Sequence, residues 1–223
     1  PIVSGDDVVL TAPLVGTLDG AGSYTHGDGE LRFDFEMVRD GNGQWRIGHP
    51  PDGLLISQYL FERFYDKVNL YFFDPSWTSL VPDPVYIPRG NQSATTLVKG
   101  LLRGPTRWLR PAVVSAIPEK TELGLSIPVD GAGVAEVSLS GPVGSLDAAQ
   151  SSQVVAQLVW TLRQLGSVTG LRISVNGKPW GVADQNPDGT VPIGVQSMVA
   201  PIPVTQSSQL MVLTADGVGR AVT

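Results

Sequence analysis

The sequence predicts an α+β fold in two small domains, and three observations carry that prediction. LRFDFEMV, residues 31–38, alternates apolar with polar side chains, the pattern of a half-buried strand. Two later segments, 94–102 and 147–165, repeat apolar residues at helical spacing. Strand-like runs flank both, so the second half reads strand, helix, strand twice, which implies a mixed sheet with two main helices on one face. A length of 223 residues allows one large domain or two small ones, each with its own core.

Taken in order, residues 8–15 form a short apolar run, and a turn-rich span 18–29 precedes the strand at 31–38. DGNG at 40–43 tolerates positive φ, and QWRI at 44–47 follows as the second arm of a hairpin. HPPDG at 49–53 closes this part, and Ser57 caps a short helix expected through Tyr65. The domain boundary is placed near Asp66, giving domains over 1–66 and 67–183 and a tail over 184–223. Strands are expected at 70–73 and 85–87, joined by a Pro-rich loop.

LVKGLLRGPT, residues 97–106, poses the choice between a phosphate cradle and a helix stop. Ala94, Leu97, Val98, Leu101 and Leu102 fall at i, i+3, i+4, i+7 and i+8, with Ser93 available as N-cap, so this is an amphipathic helix. Gly104 and Pro105 sit at its C-terminal end, whereas anions bind at N-termini, and the GK[ST] of a P-loop is absent. GPT is therefore a stop signal. Strands are then expected in AVVSAIP, GLSIPV and GVAEVSLSG, with VDGAG as a turn. The second helix presents Val154, Val155, Leu158, Val159, Leu162 and Leu165 on one face and ends at Gly166. LRISV, 171–175, is a strand, and one more is expected at 210–213.

Composition removes several functions. No apolar run approaches the ~18 residues of a membrane span. A net charge of −6, with no Lys/Arg cluster evident along the chain, argues against a nucleic-acid partner. The chain contains no Cys, which excludes disulfides, thiolate metal sites and Cys nucleophiles, and is compatible with an oxidising exterior. It begins Pro1-Ile2-Val3 without a signal or lipidation motif and is expected to be a piece of a longer protein.

Candidate chemistry is sparse. Asp34 with Glu36, and Asp83 near Asp74, are acidic pairs beside aromatics of the kind glycoside hydrolysis uses, but alternation puts Asp34 and Glu36 on one solvated strand face. DQNPDG, 184–189, offers Asp184, Asn186 and Asp188 at calcium-loop spacing, yet Val195 stands where a bidentate Glu is required and Pro187 interrupts the loop, so a polar turn is the competing reading. GxSxG, HExxH and GxGxxG are absent, and the two histidines, His26 and His49, have no local Ser/Asp signature beside them. No catalytic residue, metal or cofactor is therefore expected. Trp77, Trp108 and Trp180 fall in predicted loops, where an aromatic face can meet a ligand or partner; Trp45 and Trp160 lie on a strand and a helix, where packing accounts for them.

The ordered segments LYFFDP, VPDPVYIP, LVKGLLRGPT, VSAIPEKTEL, VAEVSLSG, LVWTLRQL and RISVNGKPW resemble a GerMN domain. GNGQWRIGHPPDGLLIS ahead of them resembles the actinobacterial lipoproteins that carry this domain. The resemblance implies a partial nuclear-transport-factor-like region first, a GerMN domain second, and a truncated β-propeller beginning in the tail. It also implies a non-catalytic lipoprotein, Cys-anchored on the outer face of the cytoplasmic membrane through a segment absent here. The implied partner is the extracytoplasmic domain of the MtrB sensor kinase in the MtrA/MtrB two-component system, with effects on envelope homeostasis and division. Two other classes stay open: a cell-wall glycan or small-ligand module using the loop tryptophans, and a wall-polymer enzyme, which needs two carboxylates facing one cleft at about 5–9.5 Å.

Overall fold

A computed structural model of the chain describes residues 2–4, 7–50, 52–195, 199–201, 211–214 and 217–220. The first part is a four-stranded antiparallel sheet of β1 (Ile2–Ser4), β2 (Asp7–Pro13), β5 (Glu30–Arg39) and β6 (Trp45–Ile47), in that spatial order. Between β2 and β5 the chain forms a small hairpin of β3 (Gly16–Leu18) and β4 (Tyr24–His26). The Asp40 carboxylate accepts from the N–H groups of Asn42 and Gln44, and Gly43 takes φ 75°, so DGNG makes the expected β5–β6 hairpin. Alternation along β5 leaves Leu31, Phe33, Phe35 and Met37 on one face, opposite Ala12, Leu10 and Val8 of β2, and all are only half-buried.

The helix α1 (Gln58–Phe64) starts where Ser57 Oγ accepts from the N–H of Leu60. It docks the first part on the second through aromatic rings: Phe61 lies 5.8 Å from Tyr24, 5.0 Å from Tyr65 and 4.9 Å from Tyr86. Beside them the Tyr86 N–H donates to the carbonyl of Gly22 at 2.8 Å. Gly22 has φ +85°, and a Cβ there would sit 2.6 Å from the Tyr86 carbonyl, so the junction requires glycine.

The second part holds the buried core. Its hairpin of β7 (Tyr65–Phe73) and β8 (Leu80–Pro88) is longer than the sequence predicts, and α2 (Ser93–Arg103) begins one residue after its N-cap, Gln92, in place of Ser93. A mixed sheet follows, built from β9 (Glu122–Leu123), β10 (Val134–Ser140), β11 (Gly170–Val175), β12 (Lys178–Pro179) and β13 (Thr190–Pro192). The pair β10–β11 is parallel, and its crossover carries α3 (Ala148–Leu162). Asp147 and Gln150 close a capping box at the start of α3, and its apolar face from Val154 to Leu162 is fully buried against α2 and the sheet. The strand expected at 210–213 corresponds to β14 (Met211–Thr214), which pairs with β15 (Gly217–Arg220); residue 210 lies outside the described residues.

Two expected strands are corrected. AVVSAIP contributes only a bridge from Val114 to Phe73, and GLSIPV only one from Val129 to Ala135. Pro111, Pro118 and Pro128 withhold ladder donors around them, and Leu125 is 97% exposed, so neither run pairs along its length.

The hairpin β7–β8 stands apart from the mixed sheet because both its outer edges are blocked. On β7, the outward N–H groups of Asn69 and Tyr71 donate to Gln164 Oε1 and Thr161 Oγ1 of the α3 region, and Phe73 exchanges two bonds with Val114. On β8, Pro82, Pro84 and Pro88 alternate with Tyr86 along the other edge, and the Tyr86 N–H is taken by Gly22.

Candidate functional site

The acidic pairs resolve into structural roles. Asp83 is completely buried, and its carboxylate accepts from the Thr106 N–H at 2.7 Å and the Thr106 hydroxyl at 2.6 Å. Thr106 ends the GPT stretch, so the helix stop doubles as a clasp on β8. Asp34 and Glu36 lie on the solvated face of β5, bonded to Arg32 at 2.9 Å and to His49 at 3.1 Å. Asp74 is satisfied by its own loop.

That loop, residues 74–79, builds the most defined surface feature. One Asp74 carboxylate accepts from the N–H groups of Ser76, Thr78 and Ser79 and from the Ser76 hydroxyl. These bonds, the Ser76 hydroxyl first, hold the Asp74 carboxyl down at about 2 from an ordinary 3.8. They also hold Trp77 at φ 61°, a left-handed conformation that a bulky side chain adopts only when its surroundings impose it. The ring packs on Phe73 at 5.3 Å yet stays 39% exposed. Under it runs a shallow groove lined by Ser115, Pro118, Leu146, Gln150 and Gln153. Its lining is uncharged, with an aromatic face, a hydroxyl and two amides, the groups that stack on and hydrogen-bond a neutral hydroxylated ligand.

The depressed Asp74 carboxyl fixes a pH signature. Because the folded value lies below the unfolded one, the loop's stabilisation is complete above the usual carboxylate range and disappears as pH falls through about 2. The Trp77 indole resonance is expected to hold its position from neutral pH down past 4 and to shift with a midpoint near 2. A midpoint near 4, or an Asp74→Asn variant with an unchanged Trp77 resonance at neutral pH, would show that the carboxylate does not hold the loop.

The remaining predicted residues are dispersed. Trp180 packs on the main core, its backbone N–H donating to the Ile173 carbonyl and its backbone carbonyl accepting from Gln185 Nε2. Trp108 is 63% exposed on the turn after α2, away from the Trp77 groove. In the 184–189 loop, Asp184 has φ 64°, the Asn186 carbonyl accepts from the Gly189 N–H, and Asp188 caps the N–H of Thr190 at 3.0 Å, which lowers its pKa. Among the described residues, no three His, Cys, Asp or Glu side chains are grouped as a metal site would require. The Asp74 brace under Trp77 was missed in sequence, although DPSWTS carries the Asp-x-Ser/Thr spacing of such turns.

Residues 69–180 match the family model described as sporulation and spore germination (Germane), half of the chain, and residues 3–62 match lipoprotein LpqB, N-terminal domain. The chain belongs to the LpqB lipoprotein family. An LpqB from Cutibacterium acnes is 29% identical over 212 residues, covering 95% of this chain and 36% of that relative. One from Thermobifida fusca is 34% identical over 181 residues, covering 77% of this chain and 28% of its own length. The chain thus spans about a third of the length of the curated LpqB relatives it matches. The first GerMN domain of the sporulation protein GerM from Bacillus subtilis aligns over 57% of this chain and 92% of that one, with 19% identity and a TM-score of 0.44. Neither LpqB relative carries a reaction in its name, and both are named lipoproteins. Among the described residues no helix is long and apolar enough to cross a membrane.

Proposed function

We propose that this chain is part of a non-catalytic, lipid-anchored accessory protein on the outer face of the cytoplasmic membrane. Its ectodomain binds the extracytoplasmic domain of the MtrB sensor kinase and, by preferring one of the kinase's conformations, biases signalling that governs envelope homeostasis and division. The observation that carries the binding reading is the apolar surface of the first part: Leu54 is 76% exposed, Leu55, Tyr59 and Phe64 in the following stretch of chain are exposed as well, and the apolar face of the β2–β5 sheet is only half-buried. Exposed apolar surface of this extent is characteristic of recognition surfaces.

Calorimetric titration of the chain against the kinase's extracytoplasmic domain is expected to give saturable binding. Replacing Leu54 and Tyr59 with serine is expected to weaken it at least tenfold, since two exposed apolar anchors are removed. No heat at high concentration, or an unchanged affinity in the double variant, would count against the reading.

A second reading rests on the groove under Trp77, whose uncharged aromatic and amide lining suits a cell-wall glycan. Soluble wall fragments would then quench tryptophan fluorescence in the chain and not in Trp77→Ala.

A further inference from the structure

KGLLRGPTRWLR, residues 99–110, carries Lys99, Arg103, Arg107 and Arg110, and the fold leaves all four exposed together with Trp108. Read linearly the cations are spaced too widely to register as a cluster, so the absence of a Lys/Arg cluster expected from sequence is corrected here. Lys99 and Arg103 are one helical turn apart on the exposed side of α2. The chain then turns about Thr106, where the Arg110 N–H donates to the Thr106 carbonyl at 2.9 Å, placing Arg107 and Arg110 three residues apart in a helical turn. The Arg110 guanidinium reaches back to the Pro105 carbonyl at 3.4 Å, next to the end of α2. Two buried anchors hold this turn: Thr106 on Asp83, and Leu109 in the core.

None of the four cations makes an ion pair among the described residues. Arg103 suits the negative end of α2, but the helix dipole accounts for none of the other three. In a chain of net charge −6, a twelve-residue stretch with four exposed cations that make no ion pair among the described residues, and a Trp that is 63% exposed, stands out as a built surface.

We propose that this turn docks on the anionic phospholipid headgroups of a membrane and sets the orientation of the chain upon it. Guanidinium groups bind phosphate bidentately, and indole rings settle at headgroup depth with the apolar body inward. The rest of the chain is on average repelled by an anionic surface, so attraction confined to one turn selects one orientation. The lipoprotein names of the relatives put a membrane within reach. The inference does not depend on the kinase reading.

The test is co-sedimentation of the 223-residue chain with phosphatidylcholine vesicles with and without phosphatidylglycerol, at low salt. Binding is expected only with phosphatidylglycerol, half-complete at about 1 mM accessible lipid, and weakened roughly fivefold for each cation replaced by alanine. High salt is expected to abolish it. Bilayer-embedded brominated lipid is expected to quench the emission of the chain, and Trp108→Phe to lose that quenching, a readout that needs no charge variant to fold. Equal binding to pure phosphatidylcholine, no binding at several millimolar lipid, or undiminished binding by Arg107→Ala/Arg110→Ala would overturn the proposal. So would an absence of vesicle binding accompanied by loss of kinase-ectodomain binding in that double variant, which would make the turn a protein-binding surface.

Discussion

Asp83→Ala is expected to destabilise the chain by about 2–5 kcal/mol, among the largest effects of any single substitution. The carboxylate is fully buried and receives two donors from Thr106, one of them a backbone N–H that no substitution at Thr106 can remove. Deleting the carboxylate leaves both buried donors without their partner, and an unsatisfied buried donor costs about 1–3 kcal/mol. Part of that loss is offset because a charge no longer has to be desolvated. Thr106→Val is therefore expected to cost less, since the carboxylate keeps its backbone partner. In the double variant Asp83→Ala/Thr106→Val the losses are expected to be less than additive, because one orphaned donor is gone. Urea unfolding of the three variants gives the comparison; a loss below about 1 kcal/mol for Asp83→Ala would show that the clasp contributes little.

The same residues show what a sequence discloses. The start of α3 at Asp147 and the DGNG hairpin were legible because their signals act over a few neighbouring residues, whereas the Gln150 half of the α3 capping box went unread. The helix stop at Gly104 and Pro105 was legible for the same reason, but its partner was not: Thr106 and Asp83 are 23 residues apart. The strand β8 was read as residues 85–87 because Pro82 and Pro84 argue against a strand. Both prolines face its outer edge, opposite Tyr71 and Asn69, so they remove no bond to β7. Which way an edge faces is decided by the tertiary neighbour, and a single chain does not print it. Site residues follow the same rule. Each of Trp77, Trp108 and Trp180 was visible as a loop aromatic, but their separation into a groove, a cationic turn and a core contact depends on packing.

Gln157→Leu is the second large effect expected, at about 2–4 kcal/mol, although the side chains are close in size. Gln157 sits on α3, completely buried, among Val154, Leu158 and Thr161. A leucine would satisfy the apolar pattern of the helix, and from periodicity alone it would be judged an improvement. Yet Gln157 Nε2 donates to the Tyr71 carbonyl at 2.7 Å, and its Oε1 accepts from the Ala116 N–H. Together with Thr161 and Gln164 it takes the place of a neighbouring strand along β7, whose outward backbone groups would otherwise be buried without partners. Leucine satisfies neither group, so the loss comes from the backbone it abandons and not from the volume it fills. Gln164→Leu supplies the control. Gln164 makes equivalent bonds to Asn69 but is only half-buried, so water can replace them and its loss is expected to stay near 1 kcal/mol. Thermal unfolding and amide exchange at Tyr71 and Ala116 distinguish the two: fast exchange at Ala116 in Gln157→Leu alone supports the account, and equal stability losses in the two variants would refute it.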